Sequence, residues 1–316
     1  MSQLVEGLVV REQSGFFGVE TPGGQVHTCR LRGRLLEEAR SSDVAAIGDR
    51  VQIEVLADGT GMIEAVAART SALSRAVRTE GVRGAGAPER EQVIIANADQ
   101  ALFVFAAASP EPSFKALDRF LVAGEKSGIE RLVIVVNKQD LTDPAAVQTR
   151  FLPYERMGYT VLHTCALDGT GVDALRALLR GRVSVFAGPS GVGKTSLLNA
   201  VQPDLGRAVK AVSAYREEGM HTTRDSVLVR LDGGGYVADT PGVRTLTFWD
   251  IEPEELDAYF VDIAPYVEHC RFGDCAHLDE PGCAVRQAVE EGAVLRSRYR
   301  GYLAFREELE AAYSPD

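Results

Sequence analysis

No apolar run in the 316-residue sequence approaches the roughly 20 residues that a bilayer crossing needs. The N-terminal stretch, MSQLVEGLVVREQ, has no basic flank before its short apolar run and no small-residue cleavage site. An export signal is therefore not expected, and the reading is of a cytoplasmic protein with no membrane partner. Cysteine is scarce: five in all, an odd number, with three packed between Cys270 and Cys283. That pattern excludes a secreted disulfide framework. Positive charge is also short, with 34 Lys and Arg against 45 Asp and Glu, a net charge of −11. Indiscriminate nucleic-acid binding needs cations to neutralise phosphate, so any RNA contact must come from local basic patches. The single tryptophan, Trp249, is read as packing rather than recognition. What remains, 45% hydrophobic and 25% charged residues, is the composition of a soluble globular chain. The length sets a prior of roughly two domains.

The most informative stretch is VSVFAGPSGVGKTSLLN, residues 183–199. Its β-branched start reads as a buried parallel strand and its end as a helix. Between them, Gly188-Pro-Ser-Gly-Val-Gly-Lys-Thr195 is the phosphate-loop pattern in its required strand-to-helix setting. Gly188, Gly191 and Gly193 let backbone N–H groups, with those of Ser190, Val192 and Ser196 beside them, close on a polyphosphate at a helix N-terminus. Lys194 is expected to reach the β- and γ-phosphates and Thr195 to hold Mg2+.

From Gln92 onward strands at residues 101–106, 132–136, 160–163 and 183–187 alternate with amphipathic helices near 114–126, 145–157 and 172–179. This predicts a mostly parallel sheet covered on both faces, with ligands at the carboxyl ends of its strands. One such end carries Asn137-Lys138-Gln139-Asp140, the N-K-x-D motif that reads guanine: the Asp140 carboxylate can accept from N1–H and the exocyclic amine together. Thr164-Cys165-Ala166 ends the next strand, where a GTPase usually shows Ser-Ala. Cys165 and Ala166 fit the second base-contacting loop, with backbone making the contact; Cys165 otherwise reads as an ordinary buried cysteine, as does Cys29. Beyond the phosphate loop, His221-Thr222-Thr223 lies where a GTPase keeps the Thr of its Mg2+ shell. Asp239-Thr-Pro-Gly242 matches D-x-x-G, with Asp239 steadying Mg2+ and the Gly242 N–H sensing the γ-phosphate. The base-reading motif precedes the phosphate loop, so the chain order is circularly permuted; the same strand ends still face one crevice.

The flanks read differently. Residues 1–68 alternate β-formers with turn signals and predict a small closed barrel of OB-fold type. Arg30, Arg32, Arg34 and Arg40 cluster there, partly offset by Glu37 and Glu38. Phe16 and Phe17 are either base-stacking aromatics or half-buried strand residues. Residues 69–92, with five arginines among small residues, read as a flexible basic linker, either solvated or following an RNA backbone. Near the C-terminus, Cys270, Cys275, His277 and Cys283 form a Cys3His set, the composition of a closed structural zinc site. His269 is read as a bystander, and residues 284–313 as helical.

Together, the barrel, NKQD ahead of GPSGVGKTS, HTT, DTPG and C-x4-C-x-H-x5-C resemble the RsgA family of circularly permuted GTPases over nearly the whole chain. The resemblance implies an α/β P-loop GTPase domain at 93–248 between an OB-fold barrel at 1–68, the linker at 69–92 and a helical zinc-binding domain at 249–316. It further implies a GTP-hydrolysing monomer that binds GTP and GDP with Mg2+, carries one Zn2+, and acts on the 30S subunit and its 16S rRNA late in maturation. Val243 stands where many GTPases place a water-orienting Gln, which leaves His221, with Lys194 and Thr195, as the catalytic candidates. Two positions depart from the family pattern: Cys165 for Ser, and Met220 where an Arg commonly precedes His-Thr-Thr. The rival reading is a non-ribosomal switch whose barrel and zinc segment bind protein partners.

Overall fold

The computed structural model describes residues 4–38, 42–77, 90–206, 208, 226–239 and 251–313. The first strands are β1 (Leu4–Gln13), β2 (Phe16–Glu20), β3 (Val26–Leu31), β4 (Arg50–Val55) and β5 (Gly61–Val66), with helix α1 (Gly33–Glu38) after β3. They pair in the order β1-β2-β3-β5-β4, and β4 returns to β1, closing a five-stranded barrel of OB type. Strand β1 serves both neighbours, its first half pairing with β4 and its second with β2 across a register shift between Val9 and Arg11. Alternate residues point inward, so Val9, Phe17, Val19, Cys29, Val51, Ile53 and Ile63 fill the barrel.

The segment read as a linker is structured at both described ends. Strands β6 (Ala72–Val77) and β7 (Arg90–Ala96) pair as an antiparallel ribbon. The alternation in ALSRAV and EQVIIA supports strands, with Leu73, Val93 and Ile95 buried. Arg69 is not a solvated linker charge either. Its guanidinium holds the fully buried Asp49, through Nε to Oδ1 at 2.9 Å and Nη2 to Oδ2 at 2.8 Å. A bidentate pair of this kind fixes geometry as well as charge. Gly48 lies against the end of β7 so closely that a Cβ would sit 1.9 Å from Ala96 O, and its φ of +87° suits glycine.

The second sheet contains β8 (Gln100–Ala106), β9 (Arg131–Asn137), β10 (Thr160–His163), β11 (Val183–Ala187), β13 (Val229–Arg230) and β14 (Tyr236–Asp239). Its order is β10-β9-β8-β11-β14-β13, parallel except for the β13 edge. Helices α2 (Phe114–Lys126) and α3 (Pro144–Arg156) cover one face, packing Leu117, Phe120, Leu121 and Phe151 on Phe103, Phe105 and Ile134. Helices α4 (Val172–Leu179) and α5 (Lys194–Val201) cover the other, packing Leu175, Leu179 and Leu197 on Leu102, Val104 and Val133. Both faces are buried, which explains why QALFVFA and LVIVV read as continuous apolar runs. The two-residue strand β12 (Ser226–Val227) joins the barrel beside β1, and Leu228 N donates to Val10 O at 2.8 Å. The chain thus touches the barrel immediately before it enters the second sheet as β13.

The C-terminal part is helical, with Ala264–Val267, Ala284–Glu290 and Arg296–Tyr313. Ile251, Leu256, Phe260, Ile263, Val285, Tyr302 and Phe305 form its core, which also takes in Val122 of α2. No helix among the described residues is long and apolar enough to cross a membrane.

Candidate functional site at the carboxyl ends of the parallel strands

Strands β9, β8 and β11 lie side by side, so the loops leaving β9 and β11 meet across the end of β8. The phosphate-loop pattern leaves β11 at Gly188, where a Cβ would stand 2.1 Å from Val104 O of β8 and φ is +149°. Glycine is therefore the residue that lets the loop fold over its neighbour. Gly193 starts α5 with φ +93°, and a Cβ there would lie 2.4 Å from Asn137 Nδ2. Between them Val192 is buried and anchors the loop, while Ser190, Gly191, Thr195 and Ser196 are exposed at the helix N-terminus. Lys194 Nζ donates to Gly188 O at 2.7 Å and to Pro189 O at 2.8 Å, so the ammonium lies over the loop.

Asn137, the last residue of β9 and almost fully buried, ties three loops together. Its Nδ2 donates to Val192 O at 2.9 Å in the phosphate loop. Its Oδ1 accepts from Ala166 N at 3.3 Å and from Thr164 Oγ1 at 3.4 Å. Lys138 follows in the left-handed conformation, φ 63°, and its Nζ donates to Ser109 O after β8. Gln139–Leu141 form one tight helical turn that leaves Asp140 exposed. The Cys165 thiol, itself buried, donates to Asp140 Oδ1 at 3.1 Å. Burial and the neighbouring carboxylate both raise that thiol above its ordinary range, so it remains a donor. Sequence reasoning expected only backbone from this loop; the side chain of Cys165 also reaches the Asp140 carboxylate.

Asp239 ends β14 in register with Phe186, one residue before β11 ends, so its backbone sits at the same rim. The side chain of Asp239, and all of Met220, His221, Thr222, Thr223, Gly242, Val243 and Trp249, lie outside the described residues.

A second cluster lies in the C-terminal part. One ligand atom from each of Cys270, Cys275, His277 and Cys283 falls within 4.8 Å of all the others. His277 turns Nδ1 toward Cys283 Sγ at 3.4 Å and Cys270 Sγ at 3.6 Å, while Nε2 faces Asp257 Oδ2 at 3.1 Å. A carboxylate on the far nitrogen fixes the tautomer that leaves Nδ1 as a ligand. Glu280 accepts from the N–H groups of Ala276 and Leu278, both at 2.8 Å, and so braces His277 at φ 61°. Burial pushes the Cys275 thiol up to about 12. Three sulfurs and one imidazole nitrogen gathered this closely form a donor set that could hold a metal ion. His269 is exposed and outside the cluster. Asp257, missed from sequence, is 20 residues upstream of His277 and carries no spacing signal.

The candidate RNA patches are altered by their partners. Arg32 pairs with Glu54 at 2.7 Å and with Glu64, and Arg34 reaches Glu64 at 3.4 Å, so these charges are largely neutralised within the barrel. Phe17 is core, whereas Phe16 is 40% exposed and stacked under Arg30, 4.6 Å from the ring centre. Arg298, in the segment read as helical, is buried.

Family models for the RsgA N-terminal domain and the RsgA GTPase match residues 6–63 and 66–249. The small ribosomal subunit biogenesis GTPase RsgA of Gemmatimonas aurantiaca is 42% identical, covering 98% of this chain and 99% of that one. The crystal structure of YjeQ from Thermotoga maritima superposes with a TM-score of 0.75 at 36% identity, covering 97% and 99% of the two chains. That of YloQ, described as a circularly permuted GTPase, gives 0.75 at 32% identity, covering 99% and 98%. The GTPase-family model matches more than half of the chain and these relatives align with nearly all of it, so the chain belongs to the RsgA GTPase family.

Proposed function

We propose that this GTPase binds the 30S ribosomal subunit and couples GTP hydrolysis to late small-subunit maturation, in the cytoplasm and as a monomer. The observation that carries the nucleotide half is the Asn137 junction, which brings NKQD, the Cys165–Ala166 loop and the phosphate loop to one rim. The near full-length likeness to a small ribosomal subunit biogenesis GTPase supports the ribosomal half.

In this reading Asp140 accepts from guanine N1–H and the exocyclic amine, with Cys165 and Ala166 closing the base side. The N–H groups from Gly188 to Ser196 cradle the phosphates, and Lys194 moves from the loop carbonyls to the β- and γ-oxygens. Phosphoryl transfer depends on positioning and on stabilising charge at the equatorial oxygens, so these donors supply most of what the chain contributes. Thr195 and Asp239, with Thr222 or Thr223, would hold Mg2+, which neutralises charge on the β- and γ-oxygens when bound. The Gly242 N–H senses the γ-phosphate. Val243 cannot orient water, so His221 takes that role once the subunit orders its loop, and basal hydrolysis is slow. The Cys3His cluster holds one Zn2+ as a structural ion. Barrel and C-terminal segment contact 16S rRNA, with Phe16 and Arg30 as the exposed aromatic–cation pair.

Single-turnover hydrolysis with and without 30S subunits tests this for wild type and His221→Ala. Stimulation is expected to be large for wild type and mostly lost in the variant, at little cost in GTP affinity. Equal stimulation of both removes His221 from the mechanism. No stimulation of either, with no nucleotide-dependent co-sedimentation, favours the non-ribosomal switch.

A further inference from the structure

Gln139 is the member of Asn137-Lys-Gln-Asp140 for which nucleotide recognition has no use, yet its side chain is buried. It folds back beneath the turn. Nε2 donates to Val136 O at 3.0 Å and lies 3.1 Å from His163 Nδ1, while the backbone N–H donates to Thr164 O at 3.3 Å. Val136 O can only accept, so it fixes which end of the amide faces inward; the second N–H then points at Nδ1. Nδ1 must carry a lone pair, and the imidazole is the neutral form with its proton on Nε2. That Nε2 is enclosed and has no hydrogen-bond partner among the described residues. A buried orphan donor is a cost that an apolar side chain at this position would avoid. The acceptor that Gln139 uses is what the imidazole offers in return.

We infer that His163 is a positioning residue for guanine recognition. Through Nδ1 it holds Gln139, and Gln139 joins Val136 at the end of β9 to the Thr164 loop. The turn that presents Asp140 therefore stands on this pair, as Asp140 stands against Cys165. The inference rests on the proposed reading of Asp140 as the guanine acceptor. Of the elements around the ring, α3 contributes Glu155, whose charge favours the imidazolium; β9 contributes only backbone and apolar groups near it, and the 139–141 turn contributes Gln139 and, beyond it, Asp140. Burial outweighs Glu155 and holds the imidazole below its usual range. The neutral ring, and with it the Gln139 bond, is present above that depressed pKa. It is lost as pH falls through it, because an Nδ1–H would face the amide N–H2.

The readout is the ratio of inosine diphosphate to GDP dissociation constants, because inosine lacks the exocyclic amine and phosphate ionisation cancels between the two. His163→Phe, which keeps a ring but no acceptor, is expected to weaken GDP about tenfold, the effect of one lost buried hydrogen bond, and inosine diphosphate less. His163→Asn, whose Oδ1 can stand where Nδ1 does, restores the ratio. Titrated from about pH 7.5 to about 5, across and below the ordinary histidine range, the wild-type ratio falls and that of His163→Asn does not. An unchanged ratio in His163→Phe overturns the inference. Should that variant not fold, the same pH dependence in wild type and His163→Asn overturns it. A wild type that binds GDP and ADP alike would overturn the Asp140 reading itself, and this inference with it; a GDP-selective wild type with indifferent His163 variants overturns this inference alone.

Discussion

Arg298, on the C-terminal helix Arg296–Tyr313, donates through Nη1 to Asp118 Oδ1 of α2 at 2.6 Å. Its Nη2 donates to Asp262 Oδ1 at 2.7 Å, and Tyr154 OH of α3 donates to the same Asp118 oxygen at 2.7 Å. One buried guanidinium thus joins the GTPase sheet's helices to the helical C-terminal part, with two carboxylates for one cation. Removing the cation strands both acids. Arg298→Met is expected to cost about 3–5 kcal/mol in denaturant unfolding, the scale of a broken buried ion pair.

The same cluster has a pH signature. Burial holds Asp118 above the usual carboxylate range, against the pull of Arg298 and Tyr154. A carboxyl whose folded pKa is raised lowers stability as pH climbs from its unfolded pKa to its folded one. Asp118→Asn keeps an acceptor for Arg298 and Tyr154, and Asp262 remains as counter-charge. It should cost well under the Arg298→Met loss at neutral pH and flatten the stability slope above about pH 4. Urea unfolding at several pH values checks both.

Gly193 faces Asn137 at a distance that no side chain tolerates. Gly193→Ala would put a Cβ 2.4 Å from Asn137 Nδ2 at φ +93°, so either the α5 start or the Asn137–Val192 bond must shift. GDP affinity is expected to fall by at least about tenfold, since both the strained backbone and the lost bond cost more than 1 kcal/mol. Titration calorimetry measures it, and an unchanged melting profile beyond the loop would locate the damage.

Cys165 offers a finer test of base recognition. Cys165→Ser keeps a donor to Asp140 and should leave GDP binding within a few-fold of wild type; Cys165→Ala removes it and should weaken GDP by about three- to tenfold. Asp140→Asn should weaken GDP far more, and improve xanthosine diphosphate, whose base offers an acceptor where guanine offers the amine.

For the metal cluster, elemental analysis of carefully purified protein is expected to give one zinc per chain. Chelation should loosen residues 251–313 in hydrogen exchange and leave GDP affinity nearly intact, because the cluster shares no residue with the nucleotide rim. Asp257→Asn weakens the hold on His277 Nε2 and should lower zinc affinity about 10- to 100-fold in chelator competition.

Local chemistry made much of this legible in the amino-acid order. Alternation marked β2, β3 and β4, continuous apolar runs marked β8 and β9, and Gly188-x4-Gly-Lys-Thr195 and Asn137-Lys-Gln-Asp140 marked the rim, because backbone geometry and ligand chemistry demand those residue types at those spacings. The four members of the Cys3His cluster were legible for the same reason. Tertiary structure alone decided which partners each charge would meet. Arg69, Arg32 and Arg298 look alike in sequence, yet one clamps buried Asp49, one is neutralised by Glu54 and Glu64, and one is buried on the inner side of the C-terminal helix between Asp118 and Asp262. It also decided that the supposed linker ends would pair as a ribbon, that β12 would lie on the barrel, that Asp257 would stand behind His277, and that Gln139 would find His163. Those pairings join residues 13 or more positions apart, and no local period encodes them; they exist because folding brings strand ends and helix faces together and buried polar groups must then find partners.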